Sequence, residues 1–70
     1  MDIISTRLKS LRLAYNLTQD QAAQALGFKD AGSYRKYESG KVLPGADKIR
    51  TIADFYKVTA DYILGRTDTP

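Results

Sequence analysis

The sequence contains no cysteine, no histidine and no tryptophan among its 70 residues. The absence of Cys and His excludes disulfide frameworks, the usual zinc sites and the nucleophile–base pairs that depend on these residues. No run of consecutive apolar residues exceeds three, so no segment can cross a bilayer. The N-terminus lacks the apolar segment of a signal peptide. We therefore expect a cytoplasmic protein that holds no metal and no cofactor.

The composition is that of a folded domain with a basic middle. Hydrophobic residues make up 43% of the chain and charged residues 27%, which is typical of a single globular domain. We expect this domain to span residues 1–65, followed by a short polar tail over residues 66–70 that is frayed. The net charge is +3, and residues 29–44 hold four basic residues against two acidic ones. If this segment forms a surface, it favours a polyanionic partner.

Two short helices are predicted in the first part of the chain. Apolar residues at helical spacing predict a helix that begins at Ile4 and continues through Leu8, Leu11 and Tyr15. Asn16 suits the left-handed conformation that ends a helix. The segment 18–21 has the pattern of a capping box, which predicts a second helix from residue 19 to residue 26, with Gly27 as its stop.

Three further helices are predicted in the rest of the chain. The third has Asp30 as its N-cap and ends before Gly40. The fourth begins after Gly45, ends near residue 57 and buries either Phe55 or Tyr56 in its last turn. The fifth is capped by Thr59 and stops at residue 65. Because no segment alternates with period two, we predict an all-α domain of five helices.

The second and third helices have the features of a helix-turn-helix. This arrangement joins two short helices through a tight turn and requires a small residue where they cross. Ala23 is that small residue, and Gly27 supplies the unusual backbone dihedrals of the turn. Tyr34 is the expected apolar anchor beneath the third helix. With Tyr34 in that position, the first turn of the third helix would be free to enter a groove of a binding partner.

The order and spacing of these residues resemble a Cro/CI-type (XRE-like) helix-turn-helix domain, the family of phage repressors and small bacterial regulators. The resemblance covers residues 4–65 and implies the five-helix fold of lambda-repressor-like domains. One departure is that the segment between Gly27 and Tyr34 is one residue longer than usual, which leaves the register of the third helix open by one position. The segments that carry the resemblance are Arg7–Arg12, Leu17–Gln19 with Ala23 and Leu26–Gly27, Tyr34–Gly40 with Pro44, Ile49–Ala53, and Thr59–Gly65.

The resemblance implies a set of DNA-contacting residues. Arg35 and Lys36 are the best candidates for direct readout, because either donates well to guanine O6 and N7. Gln19 is expected at a phosphate beside the free amides of the second helix, where Thr18 also lies. The full set comprises Thr18 and Gln19, the reading-helix residues Ala31, Gly32, Ser33, Arg35 and Lys36, and the flanking phosphate contacts Lys29, Ser39 and Lys41.

Two further expectations follow from the resemblance. Arg12 and Glu38 are expected to form a structural ion pair that orients the reading helix from behind. The end of the fifth helix is expected to form a dimer interface through Tyr62, Ile63 and Leu64, because exposed apolar residues there would lack other cover.

The leading functional hypothesis is a sequence-specific regulator of transcription, of bacterial or phage origin. We expect it to repress by binding a near-palindromic operator in double-stranded DNA as a homodimer. The alternative is an antitoxin or protein-interaction module, with a toxin or an anti-repressor as its partner; Ala31 and Gly32 at reading positions favour it. An enzyme is not expected, because the aspartates show no acid–base spacing and the sequence has no glycine-rich phosphate loop.

Overall fold

A computed structural model describes residues 2–70, and within this range the regular secondary structure is helical throughout. The helices are α1 (Ile3–Ala14), α2 (Gln19–Ala25), α3 (Ala31–Ser39), α4 (Ala46–Tyr56) and α5 (Ala60–Leu64). The prediction of an all-α domain with five helices is thereby confirmed. None of the described helices combines the length and the apolar character that crossing a membrane requires.

Side chains cap the N-termini of α1, α2, α3 and α5. The Thr18 hydroxyl accepts from the amide of Gln21 at 3.1 Å, and the Gln21 side chain accepts from the Thr18 amide at 2.9 Å, which completes the predicted capping box. Thr59 accepts from the amide of Tyr62 at 3.1 Å. The first helix starts one residue earlier than predicted, because the Asp2 carboxylate caps it by accepting from the Ser5 amide at 2.9 Å.

The register of α3 is settled by its two ends. Asp30 accepts from the amide of Ser33 at 3.0 Å, so the helix begins at Ala31. It stops at Gly40, whose backbone is left-handed with φ of 82°. Tyr34 is therefore the fourth residue of the helix, and it is fully buried.

The core lies where α1, α4 and α5 meet the helix-turn-helix. Leu8, Ile52 and Tyr34 are fully buried in it. In the last turn of α4 it is Tyr56, 2% exposed, that enters the core, while Phe55 is half-buried. Tyr15 does not continue the buried stripe of α1: the residue is 45% exposed, and its hydroxyl donates to the backbone carbonyl of Tyr56 at 2.9 Å.

The expected dimer residues on α5 have different positions. Ile63 is fully buried in the core, so the expectation that it forms an intermolecular surface is wrong. Its burial follows from the docking of α5 against α1 and α4. Tyr62 is half-buried, and Leu64 is 40% exposed. Of the three residues, Leu64 is thus the most exposed.

The polar tail is attached to α1 rather than frayed as expected. The Arg7 guanidinium donates to the carbonyls of Tyr62 and Thr67 and pairs with the Asp68 carboxylate at 2.7 Å. It also lies over the Tyr62 ring, 4.1 Å from the centroid. One half-buried cation therefore joins the first helix to the last helix and to the segment that follows it.

Candidate nucleic-acid interface

The helix-turn-helix is formed by α2, a turn at residues 26–30, and α3. Ala22 and Ala23 are almost completely buried on the inner side of α2, where their small side chains allow α3 to approach closely. In the turn, Phe28 packs edge-on against Tyr34 and Tyr37, with ring centroids 5.8 and 5.4 Å apart. These contacts fix the angle at which α3 projects from the domain.

The two faces of α3 differ sharply in exposure. Tyr34 and Glu38, four residues apart, are buried on the inner face. Ser33, Arg35 and Lys36 are exposed to solvent. The first turn, at residues 31 and 32, is half-buried and carries no polar side chain. The exposed side of α3 therefore combines two cations with two hydroxyls, those of Ser33 and Ser39.

A buried ion pair holds α3 against α1. Arg12 Nε donates to Glu38 Oε2 at 2.7 Å and Arg12 Nη2 donates to Glu38 Oε1 at 3.2 Å. The side chains are 11% and 4% exposed, and Arg12 Nη1 also donates to the carbonyl of Leu17 at 2.9 Å. Gln19 Nε2 donates to Glu38 Oε1 at 3.3 Å, so the same carboxylate fixes the first residue of α2. The pair thus joins three helices at one point.

The charge states of this cluster follow from its contacts. Burial raises the pKa of the Glu38 carboxyl, but the hydrogen bonds from Arg12, the nearby Tyr34 hydroxyl and the hydrogen bond from Gln19 together outweigh burial and hold that pKa below its ordinary value. The hydrogen bond to Glu38 also raises the pKa of Arg12. Burial, and then the nearby Glu38 carboxylate, raises the pKa of the Tyr34 hydroxyl, which stays protonated. At neutral pH the pair is fully ionised.

The lowered pKa of Glu38 predicts a loss of stability in acid. A carboxyl whose pKa is lower in the folded state stabilises the fold fully above its unfolded pKa, 4.5, and loses this contribution as the pH falls through the folded pKa. Urea unfolding measured between pH 7 and pH 2 should show this decline, and Glu38→Gln should remove its share of the slope. A Glu38→Gln profile that falls as steeply as the wild-type profile would contradict the assignment.

The N-terminus of α2 lies beside the exposed side of α3. Thr18 is exposed, and its hydroxyl and amide are already used in the capping box. Gln19 is half-buried and is held by Glu38. Asp20 follows in the first turn, and its Oδ1 lies 3.0 Å from Nη2 of Arg35. An ion pair therefore connects the exposed surfaces of the two helices.

Exposed basic residues surround this region. Lys29 lies in the turn before α3, and Lys41 lies just after it. The amide of Lys41 donates to the carbonyl of Lys36 at 3.1 Å, and the Ser39 hydroxyl donates to the same carbonyl at 3.1 Å. These contacts hold the C-terminal end of α3 and the start of the next loop together.

Sequence reasoning missed two residues of this surface, Lys9 and Asp20. Lys9 lies on α1, one turn before Arg12, and the pairing of Arg12 with Glu38 brings it to the edge of α3. That spacing is the signal that would have found it. Asp20 lies in the first turn of α2, where a carboxylate also suits the helix dipole, so its sequence position alone does not indicate a role at the surface. The resulting shallow groove is lined by Lys9, Arg12, Gln19, Arg35, Glu38 and Ser39.

Comparison with known proteins establishes the class. The helix-turn-helix family model matches residues 8–63, which is most of the chain. The chain therefore belongs to the helix-turn-helix family, of the Cro/CI (XRE-like) type that its residues resemble.

Three curated relatives agree with this assignment. The chain is 44% identical over 64 residues to the HTH-type transcriptional regulator YobD of Bacillus subtilis, covering 91% of this chain and 56% of YobD. It is 41% identical over 66 residues to the cryptic phage CTXphi transcriptional repressor RstR of Vibrio cholerae, covering 94% of this chain and 58% of RstR. It is 38% identical over 58 residues to the HTH-type transcriptional activator BcrR of Enterococcus faecalis, covering 83% of this chain and 28% of BcrR. The chain thus spans little more than half the length of the first two.

Proposed function

We propose that this chain is the DNA-binding part of a transcriptional regulator and that α3 reads operator DNA in the major groove. The observation that carries the proposal is the exposed side of α3, which presents Arg35 and Lys36 while a buried ion pair fixes the helix from behind. A recognition helix must be both exposed and rigidly held, because base-edge hydrogen bonds tolerate little displacement.

In this proposal the residues of α3 divide by chemistry. Lys36 and Arg35 donate to the N7 and O6 acceptors of guanine, the strongest discriminating contact available to a cation. Ser33 donates to or accepts from a neighbouring base or phosphate. Ala31 and Gly32, half-buried in the first turn, contribute shape and allow close approach of the backbone to the DNA.

The surrounding residues position the domain on the DNA backbone. Thr18 and Gln19 lie at the start of α2, where the free amides and the helix dipole favour a phosphate. Lys29 and Lys41 lie on either side of α3 and Ser39 is its last residue; all three contact phosphates. Such contacts give affinity that depends on salt and fix orientation, but they do not read sequence.

We propose that the protein acts as a homodimeric repressor. The described residues extend 30 × 23 × 20 Å, so one copy covers about one half-site when half-sites recur every ~34 Å along the duplex. Leu64, with the edge of Tyr62, supplies the free apolar surface of α5 for the dimer contact. Repression is favoured by the similarity to RstR, which is named a repressor, although BcrR is named an activator.

The alternative, a protein-interaction module with a toxin or anti-repressor as its partner, is favoured by a different observation. Val42, Leu43 and Leu64 are exposed apolar residues outside the basic surface. A protein partner that bound these apolar residues would not need to contact the exposed side of α3. Binding to duplex DNA without sequence preference, together with a co-purifying partner, would support this alternative.

Selection of bound duplexes from a random pool tests the main proposal. Lys36→Ala is expected to weaken binding to the selected site about ten- to hundred-fold, the equivalent of ~1–3 kcal/mol, and to relax preference at one base pair. Arg35→Ala is expected to relax preference at a neighbouring pair. Arg50→Ala is the charge-matched control, because Arg50 is exposed on α4 and lies outside the proposed surface.

The outcomes separate a reading residue from a backbone contact. If Lys36→Ala weakens binding equally for all sequences, Lys36 contacts phosphate rather than bases. If the unaltered protein selects no sequence at any salt concentration, the proposed function itself is wrong.

A further inference from the structure

The exposed surface of the helix-turn-helix contains an ion pair between its two helices. Arg35 Nη2 donates to Asp20 Oδ1 at 3.0 Å, and the two side chains are 55% and 74% exposed. Asp20 lies in the first turn of α2, fifteen residues before Arg35. The pair therefore connects α2, which would contact the DNA backbone, with α3, which would contact the bases.

The position of Asp20 is unusual for a surface that meets a polyanion. It shares a shallow groove with Thr18, Gln19 and Arg35, the residues placed here at a phosphate and at the bases. An unneutralised carboxylate at this point would repel phosphates. Its pairing with Arg35 removes that repulsion and at the same time gives the guanidinium one preferred direction.

We infer that Asp20 is a positioning residue for sequence specificity, acting through Arg35. By holding the guanidinium, it keeps this long and otherwise mobile cation from binding whichever phosphate is nearest. An exposed ion pair is weak and screened by salt, so a correctly placed guanine can engage the free donors of the guanidinium or replace the carboxylate. This inference rests on the proposed function.

The decisive experiment compares base preferences in the selection from random duplexes. The variant Asp20→Asn keeps the size of the side chain, while it removes the charge that holds Arg35. We expect it to broaden preference at the same base pair that Arg35→Gln broadens. We also expect the affinity of this variant for a non-selected duplex to rise about three- to ten-fold. The slope of the logarithm of the binding constant against the logarithm of the salt concentration should steepen by about 0.9, which corresponds to one added phosphate contact.

The chain offers a matched control in Asp61. This residue also lies in the first turn of a helix, and its Oδ1 lies 3.6 Å from Nε of Arg66 in an exposed pair. The substitution Asp61→Asn makes the same change in net charge at a site remote from α3. It should leave the base preferences unchanged. Sedimentation should give the same oligomeric state for both variants and the unaltered protein.

The double variant Asp20→Asn/Arg35→Gln tests whether Asp20 acts through Arg35. We expect its base preferences to match those of Arg35→Gln alone, because the cation that Asp20 positions is gone. Preferences of Asp20→Asn that equal those of the unaltered protein, or that broaden at a different base pair, would overturn the inference. In both cases the unaltered protein still selects a site, which distinguishes this failure from failure of the proposed function.

Discussion

Replacement of Arg12 by methionine is expected to lower the free energy of unfolding by about 3–5 kcal/mol. Arg12 is the cationic partner of Glu38, and both side chains are almost completely removed from water. The substitution leaves the Glu38 carboxylate buried with only the longer hydrogen bond from Gln19. Urea unfolding followed by the far-ultraviolet signal of the helices measures the loss.

Two companion variants show whether burial causes this loss. Arg66 pairs with Asp61 on the surface, where an ion pair contributes at most about 1 kcal/mol, so Arg66→Met should change stability little. The double variant Arg12→Met/Glu38→Met removes both charges and should recover much of the stability lost by Arg12→Met alone. A loss for Arg12→Met no larger than that for Arg66→Met would contradict the buried-pair account.

Replacement of Tyr34 by alanine is the second large effect, with an expected loss of about 3–5 kcal/mol in the free energy of unfolding. The Tyr34 side chain is fully buried beneath α3 and contacts the Phe28 ring edge-on. Truncation leaves a cavity at the point where α3 rests on the core. We therefore expect lower thermal stability together with weaker DNA binding, measured by thermal unfolding and by polarisation of a labelled duplex.

The control for this prediction is Tyr34→Phe. The buried Tyr34 hydroxyl lies near the Glu38 carboxylate but makes no well-formed hydrogen bond, so we expect the ring to supply most of the stabilisation. The phenylalanine variant should retain most of the stability and the DNA affinity that the alanine variant loses. If both variants lose stability equally, the hydroxyl rather than the ring supports α3.

The helix boundaries were predictable because local chemistry determines them. The capping box at residues 18–21, the N-caps Asp30 and Thr59, and the stop at Gly40 all lie where the sequence patterns put them. Each involves groups at most four positions apart, so it depends little on the rest of the fold. The fold class followed from these elements and is confirmed.

The predictions that differ from the structure concern residues whose positions are determined by tertiary packing. Ile63 was placed on a surface because helical spacing alone does not show which apolar residue of a short helix faces the core. The apolar spacing that predicts the first helix includes Tyr15, but this residue lies just beyond α1, is exposed, and donates its hydroxyl to a backbone carbonyl of α4. The pairing of Asp20 with Arg35 depends on the angle between two helices, which no local pattern specifies. The roles of the reading residues stay predictions.

The hydrogen bonds that join Arg7 to the last residues of the chain bear on the order in which the helices fold. Its partners lie 55 to 61 residues away, the largest separations among the side-chain hydrogen bonds described. Closing so large a loop costs the most chain entropy, whereas α2 and α3 meet across a short turn. We therefore expect docking of the last helix to meet a larger entropic cost than pairing of α2 with α3, so that the helix-turn-helix is able to form before this loop closes.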